Sequence, residues 1–387
     1  MSAELFFTDQ HEAYRCWREG GGVRKVRFPG AIPLEGWLVT GYADCKAALN
    51  DPRLSKDRAS ERYAEQSGMH EGPGEAMTTH MLNSDPPRHT RLRKLVLKAY
   101  TKRRVEALRP RIEAFTDALL DELDGADTVD LLSRFALPLP VAVAFELLIG
   151  SQVSHQEDHQ VRGNTHDDGP GDGEVSIMTA ERMVGHIRAM VAHKQVNPGD
   201  DLLSSLLAVQ ELSPEEITSM AFLLLVAGHQ TTVNLIANAL YLLLTHPGQL
   251  SALRADPGLT SGMIEETLRC ESPSGLASLR YTTEPVTIGG TVIPAGEFVQ
   301  IALLAANRDP AVFADPDRFD ITRDNSRHLA FGHGIHHCLG ASLARLQAEI
   351  AITRLLGRFP GLRLADLPEW QHNPRHRGLL ELRVHLR

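Results

Sequence analysis

The chain has 387 residues, of which 42 % are hydrophobic and 23 % are charged, as in globular proteins with a sizeable core. A formal net charge of −9 argues against a general affinity for nucleic acid or anionic membranes. The N-terminal MSAELFFTDQ lacks a basic segment, and no apolar run of about 18 residues follows, so we expect neither secretion nor a membrane anchor. Four scattered cysteines form no disulfide framework, which favours the cytoplasm.

The apolar pattern is mainly helical, because hydrophobic residues recur at spacings of three and four. In chain order, the patterns predict a strand at 36–41, helices over 86–123, a surface loop at 154–174, a long buried helix over 213–246, a helix over 258–271, strands within 284–302 and a last helix over 338–358. The long helix begins with SPEE, a serine cap followed by acids, and ends at HPG. We therefore predict a single domain over 1–387, mainly α with small β-sheets.

The stretch FGHGIHHCLG at 331–340 places three histidines and a cysteine within six positions. Cys338 lies at or just before the start of the last helix, where unpaired N–H groups and the helix dipole favour a thiolate. Gly332, Gly334 and Gly340 allow the backbone to approach something flat or bulky. A thiolate can be the axial ligand of haem iron, the histidines could complete a zinc site, and a structural cysteine needs no metal. These residues alone leave all three readings open.

The longer pattern resembles the cytochrome P450 family. Phe331, Gly334, Cys338 and Gly340 match the family's haem-binding loop, Phe-x-x-Gly-x-x-x-Cys-x-Gly. Five further stretches follow the family's order, namely DPPRHTRLR at 85–93, AGHQTT at 227–232, EETLR at 265–269, NRDP at 307–310 and DPDRFD at 315–320. The similarity covers nearly the whole chain and is to the soluble bacterial, actinomycete-like class. It implies the cytochrome P450 fold, with haem b between a long central helix and the helix after the cysteine loop.

The resemblance also implies roles for individual residues. Cys338 would be the metal ligand, and Phe331 and Gly340 would complete the haem-binding loop. The haem propionates would be bound by His89, Arg93, Arg280 and His336. Glu266 and Arg269, three apart on one helical face, could form an exposed pair. In the family this pair is part of a buried structural network, for which Arg318 is the candidate third member.

The AGHQTT motif would form the oxygen-activating site. A threonine inside a helix usually bonds a carbonyl one turn earlier, which needs no function. In the family, a distortion at Ala227 and Gly228 opens a groove, and the hydroxyl at the position of Thr231 supports proton delivery. Gln230 departs from the family, which usually has an acid there. Because an amide orients water but does not titrate, we expect an unusual route for protons.

The resemblance implies a monooxygenase acting on a bulky apolar small molecule such as a polyketide, macrolide, terpene or steroid. The predicted substrate pocket, with the loop at 154–174 as a mobile lid, consists of Met81, Leu82, Leu223, Ala227, Leu276 and Ala277. The alternatives are an oxidation without net oxygen insertion, such as ring coupling or desaturation, a catalytically idle haem-binding module, and a zinc protein.

Two electrons would come from NAD(P)H through a ferredoxin reductase and a ferredoxin. Eight basic residues and no acid lie from Arg88 to Arg104. They could simply be a solvated helix face, but in the family this helix borders the surface where an acidic ferredoxin docks. We expect a monomer that binds neither nucleic acid nor membrane.

Overall fold

The computed structural model describes residues 6, 9–28, 34–67, 79–150 and 177–387. Within these ranges helices predominate and strands are short, as predicted. The loop expected at 154–174, the proposed lid, lies outside the described residues.

The α-helices of the described part surround one long central helix. In chain order they are α1 (Gln10–Glu19), α2 (Tyr42–Asn50), α3 (Lys56–Ser67), α4 (Arg88–Ala99), α5 (Lys102–Ala107), α6 (Arg109–Leu123), α7 (Pro138–Ile149), α8 (Ile177–Val196), α9 (Leu202–Leu207), α10 (Pro214–Thr245), α11 (Pro247–Ala255), α12 (Thr260–Cys270), α13 (Leu303–Ala306) and α14 (Ala341–Arg358). Shorter 3₁₀ or π turns cover Met81–Asn83, Leu132–Ala136, Pro257–Leu259 and Gly334–His336.

The strands of the described residues form small sheets. They are β1 (Val23–Phe28), β2 (Leu34–Val39), β3 (Leu54–Ser55), β4 (Thr128–Asp130), β5 (Arg280–Thr282), β6 (Val286–Ile288), β7 (Thr291–Ile293), β8 (Phe298–Ile301), β9 (Arg363–Leu364) and β10 (Arg383–His385). The largest sheet has the order β1-β2-β8-β5-β3, with only β2 and β8 parallel. A second sheet has the order β4-β10-β9, and β6 and β7 form a hairpin.

The central helix α10 matches the prediction for 213–246 closely. The Ser213 hydroxyl accepts a hydrogen bond from the Glu216 backbone N–H at 3.2 Å, and the Glu216 carboxylate accepts one from the Ser213 N–H at 3.2 Å. This capping box satisfies N–H groups that a helix start leaves unpaired. The helix and the segment Leu132–Ile149 are each long and apolar enough to cross a membrane, but more than half of each is buried within the protein. Both are therefore typical of core helices.

The helical region predicted over 86–123 consists of three helices. Thr101 separates α4 from α5, because its hydroxyl accepts a hydrogen bond from the Arg104 N–H at 3.2 Å and caps α5. Pro110 lies in the first turn of α6, where a residue without an N–H is tolerated. These breaks allow α4 to lie against the cysteine loop while α6 packs against α14.

Candidate functional site

The cysteine loop is shaped by glycines. Gly332 and Gly334 have φ angles of 71° and 75°, a conformation that residues with a side chain rarely adopt. At Gly334 a Cβ atom would also collide with the Asn50 side chain. The Cys338 N–H donates to the Phe331 carbonyl at 2.9 Å and closes the loop. The last helix begins three residues after Cys338 rather than at it.

Cys338 is exposed to solvent, although protein groups closely surround its thiol. Burial raises the pKa of its thiol. Backbone N–H groups of Gly340 and Ala341 donate to the sulfur and act in the opposite direction, as do the nearby Arg93 and Arg345. These groups favour the thiolate form of Cys338. A bound metal ion would favour it further, because coordination deprotonates a thiol.

Glu265 fastens the cysteine loop to α12. Its carboxylate accepts two hydrogen bonds from Arg345, at 2.6 and 2.8 Å, and one from His328 Nε2 at 2.9 Å. Burial alone would raise the pKa of Glu265, but these bonds lower it to about 2, so the carboxylate is charged at neutral pH. The Arg345 guanidinium also lies 4.5 Å from the centre of the Phe331 ring. One carboxylate therefore orders both the loop and the start of α14.

Glu266 and Arg269 are both fully buried and bonded to each other, at 2.7 and 2.9 Å. The third member of their network is Arg323, whose Nε lies 3.3 Å from the Glu266 carboxylate and whose side chain is 15 % exposed. The prediction of Arg318 is wrong, because its side chain is 64 % exposed and lies 3.4 Å from Asp320. Only the Arg318 carbonyl joins the network, by accepting from Arg269 at 3.1 Å. The backbone of Arg318 is therefore part of the network, and its side chain lies outside it.

Replacing Arg323 or Arg318 by alanine tests this assignment. Arg323→Ala is expected to lower the free energy of unfolding by about 3 kcal/mol, because it removes a cation from the buried Glu266 carboxylate. Arg318→Ala is expected to change it by less than about 0.5 kcal/mol, as for other exposed side chains. Urea denaturation of both variants, followed by circular dichroism, measures the difference. Equal destabilisation by the two changes would contradict the role of Arg323.

The four predicted propionate ligands lie together although they come from three separate elements. The His89 ring on α4 and the His336 ring in the cysteine loop have their centres 4.3 Å apart. Arg93, also on α4, donates to a carbonyl of the cysteine loop at 2.7 Å. Arg280 on β5 is 4 % exposed and donates to two backbone carbonyls. Burial and the surrounding cations lower the pKa of His336 to about 2, so the group is crowded with like charge.

The polar atoms of this cationic group fit a dianionic cofactor. Both ring nitrogens of His89 and Nε of Arg280 are buried without a hydrogen-bond partner among the described residues. Burial lowers the pKa of Arg280 to about 10, although the charges of Asp85 and Asp51 act in the opposite direction. Buried polar groups are rarely left unpaired. The two propionates of haem b would supply the missing acceptors, and Cys338 would hold the iron.

The middle of α10 borders an open space. Ala227 and Gly228 are exposed, although the helix is mainly buried on both sides of them. The Thr231 hydroxyl donates to the Ala227 carbonyl at 3.1 Å, and Thr232 donates to the Gly228 carbonyl at 2.9 Å. The helix nevertheless runs without interruption from Pro214 to Thr245. The exposed stretch leaves room for a ligand against an otherwise packed helix.

Gln230 is held by the next turn of α10. Its Nε2 donates to the Asn234 Oδ1 at 3.2 Å. Asn234 is fully buried, and the backbone at Gly378 passes so close that a Cβ atom there would collide with the Asn234 amide. The bond fixes the orientation of Gln230 but supplies no proton, because neither amide titrates.

The predicted substrate-pocket residues do not form one cluster. Met81 and Leu223 belong to the large apolar cluster around α10, and Leu82 packs against it. The Leu276 side chain is 5 % exposed and packs into the core beneath α1, so its place in a substrate pocket stays a prediction. Ala277 packs against a third cluster, beneath the largest sheet. Strand pairing beside β8 turns these two residues into the core around the sheet.

Three residues of the site, Glu265, Lys56 and Arg323, are not predicted from the sequence. Glu265 is the first acid of EETLR, and its place directly before Glu266 is its signal in the sequence. Lys56 follows β3 and is 2 % exposed, which is unusual for a lysine. Arg323 has no local signal, because its partner lies 57 positions away.

The zinc reading of the loop finds no support in the geometry. Within the ranges that the structure describes, no three histidine, cysteine or carboxylate side chains come together as metal ligands. His333 and His337 therefore do not complete a site with Cys338.

Comparison with known proteins agrees with the site. The family model "Cytochrome P450" matches residues 174–361. "Cytochrome P450 107B1" of Saccharopolyspora erythraea is 49 % identical over 98 % of this chain and 96 % of its own. "Vitamin D(3) 25-hydroxylase" of Pseudonocardia autotrophica is 45 % identical over 93 % of this chain and 89 % of its own.

A solved structure extends the likeness to the fold. The tirandamycin C-bound P450 monooxygenase TamI superposes with a TM-score of 0.89 and 40 % identity over 99 % of both chains. Identity of this size over whole chains leaves one conclusion. This chain belongs to the cytochrome P450 family, whose members are haem-thiolate enzymes.

Proposed function

We propose that this chain is a monooxygenase that hydroxylates or epoxidises a bulky apolar small molecule, with Cys338 as the thiolate ligand of haem b. The observation that carries the proposal is the accessible Cys338 sulfur beside a buried cationic group with unpaired donors. That combination suits a metal centre whose organic part carries carboxylates. We propose that the exposed residues Ala227 and Gly228 on α10 form the opposite wall of the haem cavity.

Haem, when bound, supplies the activation of dioxygen with two electrons. The residues of the chain bind, orient and exclude water. The propionates would be bound by His89, Arg93, Arg280 and His336, and the loop from Phe331 to Gly340 would support Cys338. Thr231 would hold a proton at its hydroxyl, and Gln230 would orient water through its amide.

The proposed substrate class rests on the apolar residues that would line the pocket and on the names of related proteins. Met81, Leu82 and Leu223, which belong to the large apolar cluster or pack against it, would form an apolar border of the pocket. One relative is named for vitamin D3, and another was solved with tirandamycin C. A large, mostly apolar secondary metabolite such as a polyketide, macrolide, terpene or steroid is therefore the class we assign to this chain.

Electrons would come from NAD(P)H through a ferredoxin reductase and a ferredoxin in the cytoplasm. Some of the basic residues from Arg88 to Arg104 form ion pairs within the protein, so not all of them could contact a ferredoxin. Arg91 pairs with Glu216, and Arg104 pairs with Asp200 at 2.8 Å. Within the described ranges, the exposed basic residues of this stretch that form no ion pair are Lys94, Lys98, Lys102 and Arg103. These four are the docking charges we propose.

Reversing one docking charge should slow electron transfer. Lys98→Glu is expected to lower the rate of reduction by an acidic ferredoxin roughly threefold to tenfold at low salt, because it weakens electrostatic steering. The effect should fade as salt rises. Stopped-flow reduction of the haem measures the rate, with the exposed Arg254→Glu on α11 as the control. The same slowing in both variants would show that only net charge matters.

Two measurements test the proposed function. The reduced carbon-monoxide spectrum should show the red-shifted band of thiolate-ligated haem, and a colourless protein would overturn the proposal. Turnover under labelled dioxygen should then give a product with one labelled oxygen atom. A product without label would indicate ring coupling or desaturation, and a haem protein that never turns over any apolar ligand it binds would indicate an idle module.

A further inference from the structure

A buried lysine lies beside the cationic group. Lys56 begins α3 and is 2 % exposed, although lysine is rarely buried unless it is paired. It is one of only seven lysines in the chain. Its side-chain nitrogen donates to the Ser278 hydroxyl, which is a neutral partner. Among the described residues, no carboxylate forms an ion pair with it.

Strand pairing explains where Lys56 lies. In the antiparallel pair of β3 and β5, Ser55 stands opposite Tyr281. Lys56 follows Ser55 as the first residue of α3, and Arg280 is the next residue along β5, so the two lie close to each other at the end of the strand pair. Two neighbouring cations repel each other. An anion between or beside them would relieve that repulsion.

The nearest carboxylate is already used. The Asp85 side chain accepts hydrogen bonds from the backbone N–H groups of Lys56 and Asp57, at 3.0 and 3.2 Å, and from the Ser55 hydroxyl. It thereby caps the start of α3. Its charge acts on Lys56 only from a distance, and burial together with Arg280 holds the pKa of Lys56 well below its usual range.

Asp85 also joins Lys56 to the cationic group. Its backbone carbonyl accepts a hydrogen bond from the His89 N–H at 2.8 Å, and the centre of the His89 ring lies 4.3 Å from that of the His336 ring. Lys56 therefore lies beside the unpaired donors of His89 and Arg280. A carboxylate placed among them would pair with the ammonium group and satisfy several donors at once.

We propose that Lys56 is a further cofactor-binding residue, whose ammonium group pairs with a haem propionate between Arg280 and His336. The inference rests on the proposed function, since it requires haem. The carboxylate could also belong to a substrate, but the unpaired donors beside Lys56 belong to His89 and Arg280, two of the residues that would bind the propionates. The propionate is therefore the favoured partner.

The test compares four variants of the holoenzyme. Lys56→Met removes the charge and keeps the apolar stem, Lys56→Arg keeps the charge, and Ser278→Ala removes the hydroxyl partner alone. Lys46→Met, on the exposed face of α2, is the control. Haem release to excess apomyoglobin and the haem reduction potential are measured for each.

Lys56→Met is expected to release haem roughly tenfold faster and to have a more negative reduction potential, because a cation near haem stabilises the reduced form. Lys56→Arg, Ser278→Ala and Lys46→Met should stay near wild type in both. If Lys56→Met and Ser278→Ala behave alike, the lysine only holds the Ser278 strand and the proposal is wrong.

Three further outcomes are distinguishable. If Lys56→Met keeps its haem but loses the spectral shift with hexadecanoic acid and not with the methyl ester, the partner is a substrate carboxylate, which overturns the propionate assignment. If wild-type protein lacks thiolate-ligated haem, the proposed function itself fails. Normal wild-type haem with unchanged release from Lys56→Met defeats only this inference.

Discussion

Cys338→Ser is expected to reduce product formation to below about one thousandth of wild type, equal to roughly 4 kcal/mol of activation barrier. The sulfur lies where two backbone N–H groups, Arg93 and Arg345 all favour negative charge. A serine hydroxyl has a far higher pKa than a thiol and stays neutral there. It therefore cannot push electron density onto the iron, which is what a thiolate contributes to O–O cleavage.

The measurement is the reduced carbon-monoxide spectrum together with turnover. The variant should retain part of its haem, because the propionate contacts of α4 and β5 do not involve Cys338, but it should lack the thiolate band. Cys16→Ser is the matched control, since Cys16 lies on α1 and its thiol bonds only to the Glu12 carboxylate among the described residues, at 3.5 Å. A thiolate band that survives in Cys338→Ser would mean that another cysteine holds the iron.

Much of the site could be predicted because its signals are local. The glycines of the cysteine loop stand at positive φ, and glycine in a sequence points to that conformation directly. The capping box at Ser213 and Glu216 likewise fixes the start of α10 within one turn of chain. The break between α4 and α5 also has a local signal, the helix-capping residue Thr101. The apolar pattern continues across it, however, and so does not indicate where α4 ends.

The parts that could not be predicted depend on contacts between distant segments. Arg318 and Arg323 lie on one short stretch, and only the path of the backbone decides which of them reaches Glu266. The burial of Lys56 follows from the pairing of β3 with β5, over 200 positions away. Leu276 is a predicted pocket residue whose packing beneath α1 depends on a bridge to Ala302, which no local pattern indicates. Spacing carries no information about such pairings.

Thr231→Val is expected to lower product formed per electron consumed about tenfold or more, while consumption of reducing equivalents continues and peroxide accumulates. Valine keeps the shape of threonine but removes the hydroxyl. In the wild-type protein this hydroxyl lies beside the exposed part of α10 and donates to the Ala227 carbonyl at 3.1 Å. Positioned proton donors contribute on the order of 100-fold or more to many enzymes. With Gln230 unable to titrate, the loss of this hydroxyl should be felt strongly.

Thr232→Val separates the hydroxyl's chemistry from its place in the helix. Thr232 makes the same bond one residue later, to the Gly228 carbonyl at 2.9 Å, but its side chain is 3 % exposed and lies in the core. Its variant should keep normal coupling. Gln230→Glu should act in the opposite direction to Thr231→Val, because it adds a titratable group beside Asn234, and coupling should then depend on pH near the pKa of the new carboxyl. Equal uncoupling by the two valine variants would show that the hydroxyl serves only the helix, and protons would then have to reach the site through water alone.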